Sequence, residues 1–321
     1  MSILLITNKT DITTDFIVKS LTEKNLSFYR LNTEDIGNSI DINLDFDNGK
    51  YVLVDQGKDF SLNLLDVTSV YFRRPEVNEN FNDLTVGERN FVRSELLFVL
   101  EGLYKLLKKA FWVNTVEAIR SAENKVYQLV LAKEIGFQLP KSIITNVTSD
   151  ARAFYLNNKE RCIIKPIKSG LVAGSDEEGV IFTNEVKLDS QNIERIQRCP
   201  VYLQSMILKQ GDIRTTVVGN KIFAAMIHSQ EVVESQVDWR KSSLPLRHTK
   251  ITLPADIIEK CLQLTKKLNL NFGAIDFILD EDGNYIFLEI NPNGQWAWIE
   301  KQLNYCISDE ITTLLAEKQT C

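Results

Sequence analysis

"FGAIDFILDEDGNYIFLEINPNGQW", residues 272–296, is the stretch that decides the fold. Asp282-Gly283 between two apolar runs is the signal for a hairpin with a two-residue turn. Such a turn pairs Glu281 with Asn284 and brings Asp276 opposite Glu289. Cross-strand partners have Cβ atoms about 4.5–5.5 Å apart on one face. Asn291, two residues past Glu289, shares that face. Like charges placed opposite one another repel unless a cation bridges them. Two carboxylates and an amide oxygen are hard ligands, and with phosphate oxygens and water they suit Mg²⁺ at about 2.0–2.1 Å. Asn293 is a weaker candidate, because Pro292 turns the chain. A hairpin with two solvated acids is the competing reading. The flanking Ile275, Phe277, Leu288 and Ile290 argue for burial, where an unpaired charge is costly.

Composition narrows the function classes. The length of 321 residues suits two or three subdomains. No apolar run reaches the ~20 residues of a membrane helix, so no membrane role is expected. "MSILLITNKT" has neither a basic n-region nor a small-residue cleavage site, and reads as a first strand. The five cysteines are scattered and form no CxxC, which fits a reducing cytoplasm and argues against zinc. With only His228 and His248, a histidine-based triad is not expected. A net charge of −6 disfavours nucleic acid as a partner.

The pattern along the chain gives three blocks. Residues 1–115 alternate strands and helices as an open α/β domain, with strands in "SILLIT", "SFYRL" and "SVYFRRP". "DINLDF" and "YVLVD" form a hairpin at Asn48-Gly49, and a helical pattern runs over 86–109. Residues 116–205 open on one helix, "SAENKVYQLVLAKEIG", and continue through "SIIT", "CIIKP" and "VYLQSMI". Residues 206–321 hold further strands, a helix near 257–268, the hairpin and a terminal helix near 309–318.

An Mg-phosphate site needs cations. Lys125 lies on the helix opening the second block, and Lys165 precedes "IKSGLVAGSDEEG", a glycine-rich loop suited to covering phosphates. GxxxxGK[ST] is absent, so this is not a Walker loop. Each lysine alone reads equally as a surface residue. "VYLQSMI" offers a slot for a purine, or is an ordinary buried strand. In "GDIRTTVV", Asp212 and Arg214 share a strand face, and Arg214 would fork onto a carboxylate or phosphate, or pair locally with Asp212.

In order, these pieces resemble the ATP-grasp superfamily: Lys125 in "ENKVYQLVLAKEIGFQLPKSIIT", Lys165 in "IIKPIKSG", "YLQSMI", "DIR", then "GAIDFI…FLEINPNGQW". The resemblance spans about residues 115–300. It implies an α/β (α+β) ATP-grasp fold, with an N-terminal open α/β domain, a central lid subdomain and a C-terminal subdomain. "YFRRP", "DIR", "DWRK" (238–241) and "NPNGQWAWIE" resemble the branch of microviridin-type, or graspetide, ω-ester and ω-amide ligases. That branch implies ATP and Mg²⁺ as cofactors and a ribosomal precursor peptide, leader plus core, as partner. A homodimer is left open. The implied chemistry is phosphorylation of an Asp or Glu side chain, then ring closure by a Thr, Ser or Lys side chain of the same peptide. Carried over, Lys125, Lys165, Ser169 and Gly170 contact phosphates. Gln204 and the Ser205–Met206–Ile207 backbone contact adenine. Asp276, Glu289 and Asn291 hold Mg²⁺. Arg214 with Asp212 faces the activated carboxylate, with Arg74 and Arg240 as helpers. Lys209 stands where many such chains carry an acid for the ribose. Arg73 and Arg74 point to opposite strand faces, and the sequence does not choose between them. Trp296 and Trp298 read as aromatic anchors, or as a wall beside the peptide. Two other readings stay open: a ligase adding amino acids to a peptide or protein terminus, and a non-catalytic nucleotide-dependent peptide-binding module.

Overall fold

The structure is a computed structural model that describes residues 2–168, 171–173, 178–189 and 192–317, with backbone alone at 171–173 and 178–180. The chain divides into two compact units. The first comprises Met1–Ile119, Asn269–Phe272 and Asn293–Cys321, and the second Arg120–Leu268 and Gly273–Pro292.

In the first unit, the strands Phe28–Asn32, Ser2–Thr7, Val67–Phe72 and Phe111–Trp112 lie side by side in that order, all parallel. Ser2–Thr7 reads as an unbroken apolar run because it is central and covered on both faces. The helix Ile12–Glu23 follows it, capped by Asp11, which accepts from Thr13 N at 3.2 Å. Ile40–Asp45, Lys50–Asp55 and Phe60–Asn63 form the expected antiparallel hairpin and one further strand, with Gly49 at φ +63°. The helix Val86–Leu106 starts at a Thr85–Glu88 capping box. Only its C-terminal half is core: Leu100 and Leu103 are buried, whereas Phe91 and Leu97 face solvent. The helices Ala297–Leu303 and Ile307–Glu317 also belong here, with Ile307, Ile311 and Leu315 on one buried stripe.

Among the described residues the second unit holds three sheets, the smallest being the antiparallel pair Leu171–Ala173 and Glu178–Val180. Asn184–Val186, Cys162–Lys165, Val201–Ser205 and Ser142–Thr145 form an antiparallel sheet in that order. The helix Thr148–Asn157 covers it, with Ala151, Ile196 and Leu203 as a small core. The third sheet runs His248–Lys250, Lys221–Ile227, Lys209–Val218, Phe272–Asp280, Tyr285–Asn291. The helix Ala255–Lys267 buries Ile257, Cys261 and Leu264.

Gly211 lies in the strand that carries Asp212 and Arg214. A Cβ there would come within 2.6 Å of the Ile227 carbonyl oxygen, which is backbone and cannot swing away. Gly211→Ala is therefore expected to cost about 1–3 kcal/mol of stability. A urea melt checks this, and an unchanged midpoint would contradict the packing.

Candidate active site

The hairpin brings Asp276 opposite Glu289, but by another route than the two-residue turn. Asp280 N donates to Asn284 O at 3.1 Å, so the loop has three residues, with Gly283 at φ +83°. The Asp280 carboxylate holds this turn by accepting from Asn284 N at 2.7 Å and Asn284 Nδ2 at 3.0 Å. The longer loop shifts the register by one, so that Phe277 faces Phe287. A bulge at Leu288 shifts it back before Glu289. Asn291 pairs with Ala274 further along the same strand.

Each carboxylate meets a cation. Lys125 Nζ lies 3.2 Å from Glu289 and donates to Pro166 O at 3.0 Å. The helix expected over 121–136 starts at Lys125 and runs Lys125–Ile135, with a separate helix, Val116–Ala122, before it. Asn124 caps Lys125–Ile135 by accepting from Tyr127 N at 3.1 Å. Lys125 thus stands at a helix N-terminus, where backbone dipoles already favour an anion. Gln128, one turn on, fixes that helix to the edge strand: it donates to Ile290 O at 2.8 Å and accepts from Ile290 N at 3.0 Å. Nothing in the residue pattern singled out Gln128. Its signal, an amide on the buried face of a helix, becomes readable only once the neighbouring strand edge is known.

Asp276 is held by Arg214 Nη1, at 2.9 and 2.8 Å from its two oxygens. Arg214 therefore does not pair with Asp212. Asp212 accepts instead from Lys209 Nζ at 2.9 and 2.7 Å and from Ser229 Oγ at 2.5 Å. The cleft over the carboxylates is lined by Lys125, Lys165, Asp212, Arg240, Asp276 and Glu289, together with Gln204. Burial favours the neutral form of Glu289, but Lys125, Lys165 and Arg240 outweigh it and hold the carboxyl below its usual range. Burial pushes Asp276 up; Arg214 pulls it back, and Glu289 pushes it further up. The two acids are shifted in opposite directions, and a divalent cation between them would offset their mutual repulsion.

Lys165 is pulled down to about 8 by burial, against the attraction of Glu289. Its charged form prevails below that value and is lost above it. If Lys165 contacts phosphate, KM for ATP should rise by up to about tenfold per pH unit above about 8. Lys165→Arg should flatten the profile, since arginine keeps its proton. A parent KM that stayed level through that range would remove Lys165 from the phosphate contacts.

Gln204 is buried at 1 % exposure, and neither its Oε1 nor its Nε2 has a protein partner among the described residues. A buried amide needs both a donor and an acceptor, and the edge of a purine base offers both. An adjoining cleft of about 250 Å³ is lined by Gln204, Met206, Ile207, Leu208 and Ile278. The expected backbone contacts are narrowed. Ser205 N already donates to Lys141 O and Met206 N to Arg161 O, each at 2.9 Å. Ser169 and Gly170 lie outside the described residues.

Arg73 and Arg74 stand in the first unit. Arg73 is buried and donates to Asp11 Oδ1 at 3.0 Å, Asn293 O at 2.7 Å and Gly294 O at 3.2 Å. Arg74 is the exposed one, at φ +45°. Trp296 is fully buried, with its ring edge-on to Phe16 at 6.1 Å, and is an anchor. Among the described residues no three of His, Cys, Asp or Glu gather as a metal cluster. A cation here would rest on the two acids, Asn291 and ligand oxygens. Among the described residues no helix is long and apolar enough to cross a membrane.

Comparison with known proteins gives the family. Residues 122–315 match the RimK-like ATP-grasp domain, and residues 2–120 the MvdD pre-ATP grasp domain. The chain belongs to the RimK-like ATP-grasp family, whose α/β fold of N-terminal, lid and C-terminal subdomains it has. It is an ATP-grasp ligase related to the graspetide macrocyclases. The macrocyclase MdnC of Microcystis aeruginosa MRC, solved with precursor peptide MdnA, is 26 % identical, with a TM-score of 0.87 over 99 % of this chain and 100 % of that one. A RiPP-associated ATP-grasp ligase of Chryseobacterium gregarium, solved with ADP and a leader and core peptide, is 27 % identical, with a TM-score of 0.91 over 99 % and 97 %. A probable alpha-L-glutamate ligase of Haemophilus influenzae is 25 % identical over 64 % of this chain and 66 % of its own length.

Proposed function

We propose that the protein uses ATP to phosphorylate an Asp or Glu side chain of a ribosomally made precursor peptide, and then closes an ω-ester macrocycle within that peptide. The observation that carries this is the carboxylate pair Asp276–Glu289, ringed by Lys125, Lys165, Arg214 and Arg240 beside the Gln204 amide, which has no partner among the described residues. A carboxylate's oxygen is a poor leaving group, so the ester needs an activated acid. Transfer of the γ-phosphoryl group to the peptide carboxylate gives an acyl phosphate, and attack by a peptide hydroxyl expels phosphate. Mg²⁺, bound by Asp276, Glu289 and Asn291, would neutralise phosphate charge during transfer. Lys125 and Lys165 hold the phosphates. Gln204 reads the base, with Ile207 beside it. Arg214 meets the activated carboxyl oxygen and the departing phosphate. Asp212, paired with Lys209 and accepting a hydrogen bond from Ser229, keeps the strand under Arg214 in place. Arg74 is a helper only if the peptide reaches it. The four described cysteines are free, which suits a reducing cytoplasm.

The glutamate-ligase relative favours a second reading, addition of free glutamate to a peptide terminus. Coverage of 99 % of the chain by the macrocyclase MdnC, together with the MvdD pre-ATP grasp match over residues 2–120, supports the first. ADP release separates them. It should depend on the precursor alone and ignore added glutamate. Release that required free glutamate would overturn the macrocyclase reading.

A further inference from the structure

Asp238 has no assigned role, yet it is 5 % exposed and makes four hydrogen bonds. Oδ1 accepts from Arg240 N at 3.2 Å and Arg240 Nε at 2.8 Å. Oδ2 accepts from Arg240 Nη2 at 2.7 Å and Thr183 N at 3.2 Å. The fork fixes the guanidinium plane and leaves Nη1 without a hydrogen bond among the described residues. Arg240 lines the carboxylate cleft and its charge is felt by both Glu289 and Asp276. A second tie runs in parallel, from Lys241 Nζ to Asn184 Oδ1 at 2.6 Å. Thr183 and Asn184 lie just after the strand Glu178–Val180. The turn at 238–241 and the segment at 183–184 are thus cross-linked.

We propose that Asp238 is a positioning residue: it holds the Arg240 guanidinium over the carboxylate cleft, with Nη1 toward the γ-phosphate, and locks the Thr183 amide to the same point. This rests on the ATP reading of the site. An arginine left free would spread over its rotamers and lose most of its preference for one anion. Held by two nitrogens, it presents one fixed donor edge. The single carboxylate also makes the arginine's position depend on the segment at Thr183, so neither moves alone.

The test is calorimetric titration of Mg-ATP and Mg-ADP into the full chain and its variants. Arg240→Ala should weaken ATP by about tenfold and leave ADP unchanged, the loss of one charge-assisted contact. Asp238→Asn keeps the shape and an acceptor for Thr183 N, and should lose most of the same factor. The double variant should be no weaker than Arg240→Ala, because Asp238 acts through Arg240. Asp238→Ala should in addition speed amide exchange at Thr183, which Asp238→Asn should not. Equal losses for ATP and ADP, additive losses in the double variant, or unchanged Thr183 exchange in Asp238→Ala would each overturn the proposal. A parent chain that failed to bind Mg-ATP would overturn the ATP reading itself. A parent that binds it, with an Asp238→Asn variant that binds equally well, would overturn only the role of Asp238.

Discussion

Glu289→Ala is expected to lower ADP release with precursor by at least about 10³-fold while nucleotide binding survives. Glu289 faces Asp276 across the hairpin and is the carboxylate nearest Lys125. Its removal takes from Lys125 its ion-pair partner and from Lys165 the carboxylate that attracts it most. Phosphates should therefore still bind, since two cations remain to receive them. What is lost is the oxygen that, with Asp276, holds the divalent ion during transfer. Glu289→Gln should fail nearly as completely, because a neutral amide is a poor ligand for a hard dication. Circular dichroism of both variants should match the parent, since the side chain is 27 % exposed and not part of the hydrophobic core. Parent-like ADP release from either variant would remove Glu289 from the metal site.

Arg214→Ala is expected to reduce product formation by about 10²–10³-fold, or about 2.7–4 kcal/mol, with ATP affinity largely kept. Arg214 stands in a different position from that of the other cations. It is 8 % exposed and holds both oxygens of Asp276 through one nitrogen. Two roles are therefore separable. If Arg214 acts only by keeping Asp276 ionised, excess Mg²⁺ should restore activity to the alanine variant, because the cation replaces the lost counter-charge. If it meets the reacting carboxyl group, excess Mg²⁺ should not help, and Arg214→Lys should rescue poorly for want of the planar fork. The second outcome is expected. Full rescue by Mg²⁺ would move Arg214 to a supporting role at Asp276.

The sequence showed the carboxylate pair because a turn signal fixes register, and register fixes which side chains meet. It reached Asp276–Glu289 through two departures that cancel: a loop one residue longer and a bulge at Leu288. Neither was legible. Asp280 holds the wider turn with its side chain, and Asp282-Gly283 looks the same in either loop. The arginines were harder. Arg73 and Arg74 follow the end of their strand, where strict alternation no longer holds, and the positive φ of Arg74 turns the chain. Asp212 and Arg214 share a strand but take partners elsewhere, Lys209 from the strand start and Asp276 from the neighbouring strand. Asp238 and Gln128 were missed for a common reason. Each acts on a backbone group distant in sequence, at Thr183 and Ile290, and a polar residue carries no mark of such a partner.

The mass of the product tests the central claim most directly. The full-length protein would be incubated with Mg²⁺, ATP and the precursor peptide, and the peptide weighed intact. Each ring closed between two side chains expels one water, so the product should be lighter than the precursor by whole water masses, with no residue added. Mild alkali should restore the lost water where the linkage is an ester. A peptide made heavier by amino-acid residues would contradict the account and place the protein among the ligases that extend a terminus.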